Sequence, residues 1–89
     1  MATIRNSQVT VGTEPVVIAT GLVGASYVYL HSPTGGNAVF IGDADVTISN
    51  GFELPKNEMH EVWLPEADKL YAVVASGTQV LFVLHKGGR

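Results

Sequence analysis

Between residues 38 and 84 the sequence alternates short apolar runs with clusters of turn-forming residues, and this spacing constrains the fold more than any single motif. The turn clusters include Gly42-Asp43-Ala44-Asp45, Ser49-Asn50-Gly51 and Ser76-Gly77-Thr78. Turn signals about every 8 to 12 residues are typical of all-β proteins, and no stretch has the apolar periodicity of a helix. The pattern predicts an all-β fold: a single small β-sandwich of seven or eight short antiparallel strands, jelly-roll-like or immunoglobulin-like.

The length of 89 residues predicts one domain, because two cores in so short a chain would each be too small to fold alone. Within that domain, residues 1–7 are expected to form an extended N-terminal arm and residues 86–89 a short C-terminal tail. The chain has no cysteine, so no disulfide adds stability. Only 15% of its residues are charged, against about 25% in typical domains. Such a low share of charged residues predicts that a partner covers part of the surface.

Charge is distributed unevenly along the chain, whose formal net charge is −3. Seven of the eight acidic residues lie between positions 43 and 68, where Lys56 is the only base. This acidic block is interpreted as solvated loops, with an electrostatic face for a basic partner as the alternative. Because no cluster of Lys and Arg exists to neutralise phosphates, nucleic acid is not expected as a partner. No apolar run approaches the length of about 18 residues that spans a membrane, so no membrane association is predicted.

Parity assigns faces to two of the predicted strands. In residues 26–32, Tyr27, Tyr29 and His31 fall on one face, and Val28 and Leu30 on the other.

A second strand, over residues 60–64, separates Val62 and Leu64 from Glu61 and Trp63 in the same way.

Asn50-Gly51 favours a type I′ turn, because both residues tolerate positive φ. It predicts a hairpin between residues 46–49 and 52–55.

A second predicted hairpin, between residues 70–75 and 79–86, is apolar on both faces of both strands. A strand that is apolar on both faces has to be covered on both faces. A neighbouring subunit is the expected cover, and folding of the N-terminal residues or a long loop over the strands is the alternative. The residues predicted to make core and intersubunit contacts are Leu70, Tyr71, Val73, Val80, Leu81, Phe82 and Val83.

The sequence offers no arrangement typical of an active site. His31, His60 and His85 are widely separated, and Asp43-Ala44-Asp45 lacks the rest of a calcium-binding loop, so turn-forming aspartates are the expected interpretation. No Gly-x-Ser-x-Gly elbow occurs, and cysteine is absent. We therefore predict no catalytic residues, no cofactor and no metal site, and a protein that is not an enzyme.

Three aromatic residues leave an alternative open. Tyr27, Tyr29 and Trp63 would form a sugar-stacking platform if they were coplanar and exposed, although buried or interfacial packing of the rings is favoured.

The second half of the chain resembles the small β-sandwich virion proteins of tailed bacteriophages, particularly those that decorate or cement the head. The resemblance is one of turns and apolar positions, and where those sequences often have Pro-Gly-Glu this chain has Pro55-Lys56-Asn57-Glu58. The matching positions are Gly42, Val46-Thr47, Asn50-Gly51, Leu54, Glu58, Leu64, Leu70-Tyr71-Ala72-Val73 and Ser76-Gly77-Thr78.

This resemblance implies a structural role on the outer capsid surface, as a decoration or stabilising protein. It implies binding to the major capsid protein, a symmetric homo-oligomer with a trimer favoured, folding in the host cytoplasm, and a final location on the virion. Arg5 is a candidate for capsid contact. The alternative function is a carbohydrate-binding or adhesive module of a tail fibre or similar appendage.

Overall fold

The computed structural model describes residues 3–33 and 35–87, which form two four-stranded antiparallel sheets without a helix. Sheet I has the strand order β1-β8-β3-β6, and sheet II has the order β2-β7-β4-β5. The predicted small β-sandwich is thereby confirmed. The eight strands are β1 (Thr3–Val11), β2 (Val16–Thr20), β3 (Ser26–His31), β4 (Val39–Gly42), β5 (Phe52–Glu53), β6 (Met59–Leu64), β7 (Lys69–Val74) and β8 (Gln79–Gly87).

Successive strands alternate between the two sheets everywhere except from β4 to β5, which both belong to sheet II. Strands β1, β3, β6 and β8 form sheet I, so most connections cross from one layer to the other. This strand order is that of a jelly roll, which decides between the two predicted topologies. No helix in the described residues has the length and apolar character needed to cross a membrane.

The predicted hairpin between residues 70–75 and 79–86 is wrong. Strand β7 lies in sheet II between β2 and β4, whereas β8 lies in sheet I between β1 and β3. The turn at Gly77, whose φ is 64°, therefore leads from one sheet to the other. The physical reason is that each strand has an apolar inner face, so facing each other across the core buries more apolar surface than pairing side by side.

The predicted type I′ hairpin at Asn50-Gly51 is also wrong, since neither residue has a positive φ and residues 46–49 are not a strand. The Thr47 hydroxyl accepts hydrogen bonds from the amides of Ser49 and Asn50, and the Asn50 side chain accepts one from the Thr47 amide at 2.7 Å. These bonds close a single tight turn, in the manner of a helix capping box. Phe52 and Glu53 then pair with β4.

The acidic loop that follows β4 contains the turn-forming aspartate that was predicted. The Asp43 carboxylate accepts a hydrogen bond from the Asp45 amide at 3.0 Å, which is an Asx turn.

The termini of the described chain are paired strands. Residues 3–7, predicted as part of an extended arm, belong to β1, which pairs with β8 from Thr3↔Gly87 to Val11↔Gln79. Lys86 and Gly87, predicted as part of a tail, belong to β8. The remaining residues of the predicted arm and tail, 1–2 and 88–89, lie outside the described residues.

The core lies between the two sheets and follows the parity of the strands. Val28 and Leu30 of β3 face inward, as predicted, and Leu81 and Val83 do so from β8. The core cluster comprises Val11, Ile18, Ala19, Val28, Leu30, Val39, Ile41, Leu54, Leu64, Leu70, Ala72, Val74, Leu81 and Val83.

The outer side of sheet II is partly covered by the chain itself. Val73 of β7 and Val46 of the loop between β4 and β5 are both buried, yet neither belongs to the inter-sheet core. Val46 lies against Gly42 and Gly51, where an added Cβ would meet its side chain at 3.0 Å or less. Val73 is therefore covered within the chain, in contrast to the outward side chains of β8.

Candidate functional site

Strand β8 is apolar on both sides, but only its inner side is covered. Leu81, Val83 and His85 point into the sandwich and are buried, whereas Val80, Phe82 and Leu84 alternate with them and remain 37–40% exposed. Because β8 is a central strand of sheet I, its outward side chains lie in the middle of a broad surface. From its sequence, β8 was expected to be covered on both faces. In the structure its outward face is an uncovered apolar stripe.

Strand register extends this stripe into a face four strands wide. Cross-strand partners form three rows that run from β1 through β8 and β3 to β6. We call the surface made by these rows, together with Val80 near the start of β8, the outer face of sheet I. Its rows are Ile4, Lys86, Tyr27 and Trp63; then Asn6, Leu84, Tyr29 and Glu61; then Gln8, Phe82, His31 and Met59.

The largest side chains of this face are among the most exposed apolar groups of the described chain. Ile4 is 70% exposed, Met59 67% and Trp63 55%. Scattered apolar residues on a surface need no explanation, but a contiguous apolar patch marks an interaction site. A depression of about 600 Å³ lies in its middle, lined mainly by Tyr29, Met59 and Phe82.

Contacts within the face hold its side chains in place. The Lys86 ammonium lies 5.2 Å from the centre of the Tyr29 ring, and the rings of His31 and Phe82 stack with centres 6.0 Å apart. Glu61 raises the pKa of Tyr29, mainly by accepting a hydrogen bond from its hydroxyl. These contacts connect side chains of neighbouring strands across the face.

The residues predicted to make core and intersubunit contacts divide between two environments. Leu70, Val73, Leu81 and Val83 are buried within the chain, and Tyr71 is half-buried. Val80 and Phe82 lie on the outer face of sheet I and are free for contact with another molecule.

Arg5, the candidate for capsid contact, lies on exposed β1 beside His85. Ile4 and Met59 belong to the same apolar face and were not among the predicted contact residues, because they reach it only through long-range pairing.

Of the three aromatic residues of the predicted stacking platform, only two are direct neighbours. Tyr27 and Trp63 are direct cross-strand partners and are both exposed, while Tyr29 lies one row away and is half-buried. The sequence favoured buried or interfacial packing of these rings; burial inside the domain does not apply to Tyr27 and Trp63, and interfacial packing stays a prediction. Their exposure follows from parity, because Val28 and Val62 occupy the inner positions of the same strands.

The three histidines occupy separate environments. His31 points outward from β3, His60 stacks on Phe52 with ring centres 5.0 Å apart, and His85 is buried. Strands β3 and β8 are neighbours, yet opposite parity keeps His31 and His85 on opposite faces of sheet I. Within residues 3–33 and 35–87, no group of three or more His, Asp or Glu side chains could hold a metal ion.

His85 is one of the few buried polar side chains. Its Nε2 lies 2.8 Å from the Ser26 hydroxyl. Burial lowers the pKa of His85, and the positive charge of Arg5 lowers it further. Protonated His85 is therefore disfavoured in the folded chain.

We expect folding stability to fall as the pH drops through the unfolded-state pKa of histidine, about 6.5, towards the lower folded-state value of His85. Above that window the His85 contribution to stability is fully present, because both states are then neutral. Urea unfolding followed at pH 7 and pH 5 measures the loss, and His85→Gln should make it smaller. His31→Gln, on the exposed side of the same sheet, is the control; an equal reduction by that variant would contradict the assignment to His85.

The comparisons with known proteins bear on the fold. No protein-family model matches the sequence, and no curated protein matches it significantly. A chain from the Bacillus endospore appendages, described as a novel family of disulfide-linked pili, has a similar structure, with a TM-score of 0.69 and 13% sequence identity. The similarity covers 97% of this chain and 84% of that chain. At this identity it shows a shared fold, and the present 89 residues contain no cysteine for a disulfide linkage.

Proposed function

We propose that this chain is a structural protein that works by attaching to other protein subunits in a larger assembly. The observation that carries the proposal is the outer face of sheet I, where a central strand leaves Val80, Phe82 and Leu84 uncovered. A surface of this extent is unfavourable in water and favourable against another protein. The low share of charged residues, 15%, supports the same function.

Within this class, we propose the outer surface of a tailed-bacteriophage capsid as the setting, with the chain as a decoration or stabilising protein in a symmetric oligomer. The resemblance of the second half of the sequence to such virion proteins supports this setting. The structural similarity to a chain of the Bacillus appendages is compatible with a structural protein in general and does not bear on the capsid setting. In this chain, cohesion would rest on non-covalent contacts, since the 89 residues have no cysteine.

Co-sedimentation tests the capsid setting directly. The chain should pellet with heads assembled from the major capsid protein of the same bacteriophage, in a saturable ratio to that protein. Arg5→Glu should weaken this binding if Arg5 contacts the shell, and Lys69→Glu, a charge reversal at the exposed first residue of β7, is the matched control. A chain that is strictly monomeric and never pellets with heads would contradict the proposal.

A second candidate function is carbohydrate binding in an adhesive appendage, and one observation favours it. Tyr27 and Trp63 are exposed cross-strand neighbours, with Lys86 beside Tyr27 and Glu61 one row from Trp63. Exposed rings with polar groups at their edge suit stacking against a sugar. Trp63 is the only tryptophan of the chain, so a change in its fluorescence with a glycan would favour this candidate over the first.

A further inference from the structure

We propose that a second copy of this chain covers the outer face of sheet I, in a two-fold dimer that packs face to face. The two-fold axis runs parallel to the strands and passes between β8 and β3. The inference deepens the proposed function, on which it rests for the idea that the chain works as an assembly, and it names the occupant of the apolar face.

The dimensions of the face fit a protein partner. Strands of nine residues at about 3.3 Å per residue are about 30 Å long, and four strands about 4.8 Å apart are about 19 Å wide. With β3 and β6 shorter, the face has a flat area of roughly 500 Å², so two copies together would bury about 1,000 Å², the lower bound for a specific protein interface. A small ligand in the depression would leave Ile4 and Trp63 at opposite edges uncovered.

The order of residues across the rows suits a second copy. The proposed axis places β1 over β6 of the second copy and β8 over β3, row against row. Ile4 then lies opposite Trp63 of the second copy, and Leu84 opposite Tyr29. Large apolar groups thus meet aromatic rings, which is the contact that dominates protein interfaces.

Charge on the face is compatible with the same pairing. Lys86 is the only base and Glu61 the only acid in the three described rows, and they belong to different rows. The axis places Lys86 over Tyr27 of the second copy and Glu61 over Asn6. No like charges meet, and Lys86 gains a second aromatic ring beside Tyr29. Aligned packing of sheets about 10 Å apart is also the arrangement already present inside the sandwich.

Sedimentation equilibrium of the full chain tests the dimer. At concentrations of tens of micromolar the mass should be twice the 9.4 kDa of one chain. Leu84→Glu should raise the dissociation constant about 30-fold or more, as expected for a central interface residue. Val17→Glu is the matched control, since Val17 is 39% exposed against 40% for Leu84 and lies on a strand of sheet II; it should leave the constant unchanged.

Circular dichroism checks that each variant folds. If Leu84→Glu does not fold, Trp63→Glu, at the exposed end of a row, is tested in its place. A monomeric parent chain, a trimer, or equal weakening by Val17→Glu would overturn the proposal. A monomer that still pellets with heads would overturn the dimer and leave the proposed function standing. A dimer that never binds heads would do the reverse.

Cross-linking tests the direction of the axis, because the parent chain has no cysteine to interfere. A chain carrying Ile4→Cys is mixed with one carrying Trp63→Cys and treated with a short bis-maleimide. The mixed product should exceed both self-linked products. An excess of chains linked through position 4 on both copies would overturn the proposed axis.

Discussion

Leu81→Ala is expected to lower the free energy of unfolding by about 3 to 4 kcal/mol, the middle of the range for a buried leucine. Leu81 is fully buried in the middle of β8, a central strand of sheet I, and its side chain faces sheet II across the core. The substitution leaves a cavity that strands paired on both sides cannot close. Since domains of this size have about 5 to 15 kcal/mol in total, a large part of the stability would be lost.

Leu84→Ala is the matched control, because the same residue type is truncated three positions further along the same strand. Leu84 points outward and is 40% exposed, so its loss should cost the monomer less than about 1 kcal/mol. Urea unfolding at one fixed, low protein concentration measures both variants, because association would otherwise add to the apparent stability. Equal losses would contradict the assignment of inner and outer faces in β8.

Strand parity was predictable from the sequence, since it is a local property. Val28 and Leu30 face the core and Tyr27 faces outward, as the alternation of residues 26–32 predicted. The same holds for Leu64 and Trp63 of β6. A side chain's face depends only on the position of its residue in an extended strand and on which neighbours are apolar.

Strand pairing was not predictable in the same way. The apolar runs at residues 70–75 and 79–86 predicted a hairpin, because they are separated by a short turn and share a pattern. They are instead the central strands of opposite sheets. Parity indicates which side chains are buried but not whether a strand lies beside its chain neighbour or across from it, and jelly-roll pairings such as β1 with β8 join distant residues.

Local turn chemistry was overridden at Asn50-Gly51. The dipeptide favours positive φ, but Asn50 uses its side chain to hold the Thr47 amide, and Gly51 has no room for a Cβ beside Phe40 and Val46. Glycine is therefore present for close packing and not for its φ. Burial of Val46 on the outer side of sheet II stabilises this loop more than a two-residue hairpin would.

The candidate site was predictable in part for the same reasons. The two-sided apolar character of β8 is visible in the sequence and led to Val80 and Phe82. Ile4 and Met59 come from strands more than fifty residues apart, and β8 and β3 bring them onto one face. The extent of the face is thus a property of the topology, which local pattern does not contain.

Gly21→Ala is expected to lower the free energy of unfolding by about 3 kcal/mol, the size of a severe overpacking change. A Cβ on Gly21 would overlap the Pro65 carbonyl oxygen and lie 2.8 Å from the Ala67 nitrogen. Both are backbone atoms of the turn between β6 and β7, which also accepts a 2.6 Å hydrogen bond from the Gly21 amide at the Asp68 carbonyl. The turn cannot move aside without breaking that hydrogen bond, so making room for the methyl group destabilises the fold.

Gly12→Ala is the control that separates this clash from the general effect of replacing a glycine. An added Cβ at Gly12 meets nothing within 4 Å, and its φ is not positive. The same substitution should therefore be neutral or raise stability by up to about 1 kcal/mol, because alanine restricts the unfolded chain. Thermal and urea unfolding of the two variants should differ by most of the loss predicted for Gly21→Ala. Similar values for both would contradict the predicted clash between an added Cβ at Gly21 and the 65–68 turn.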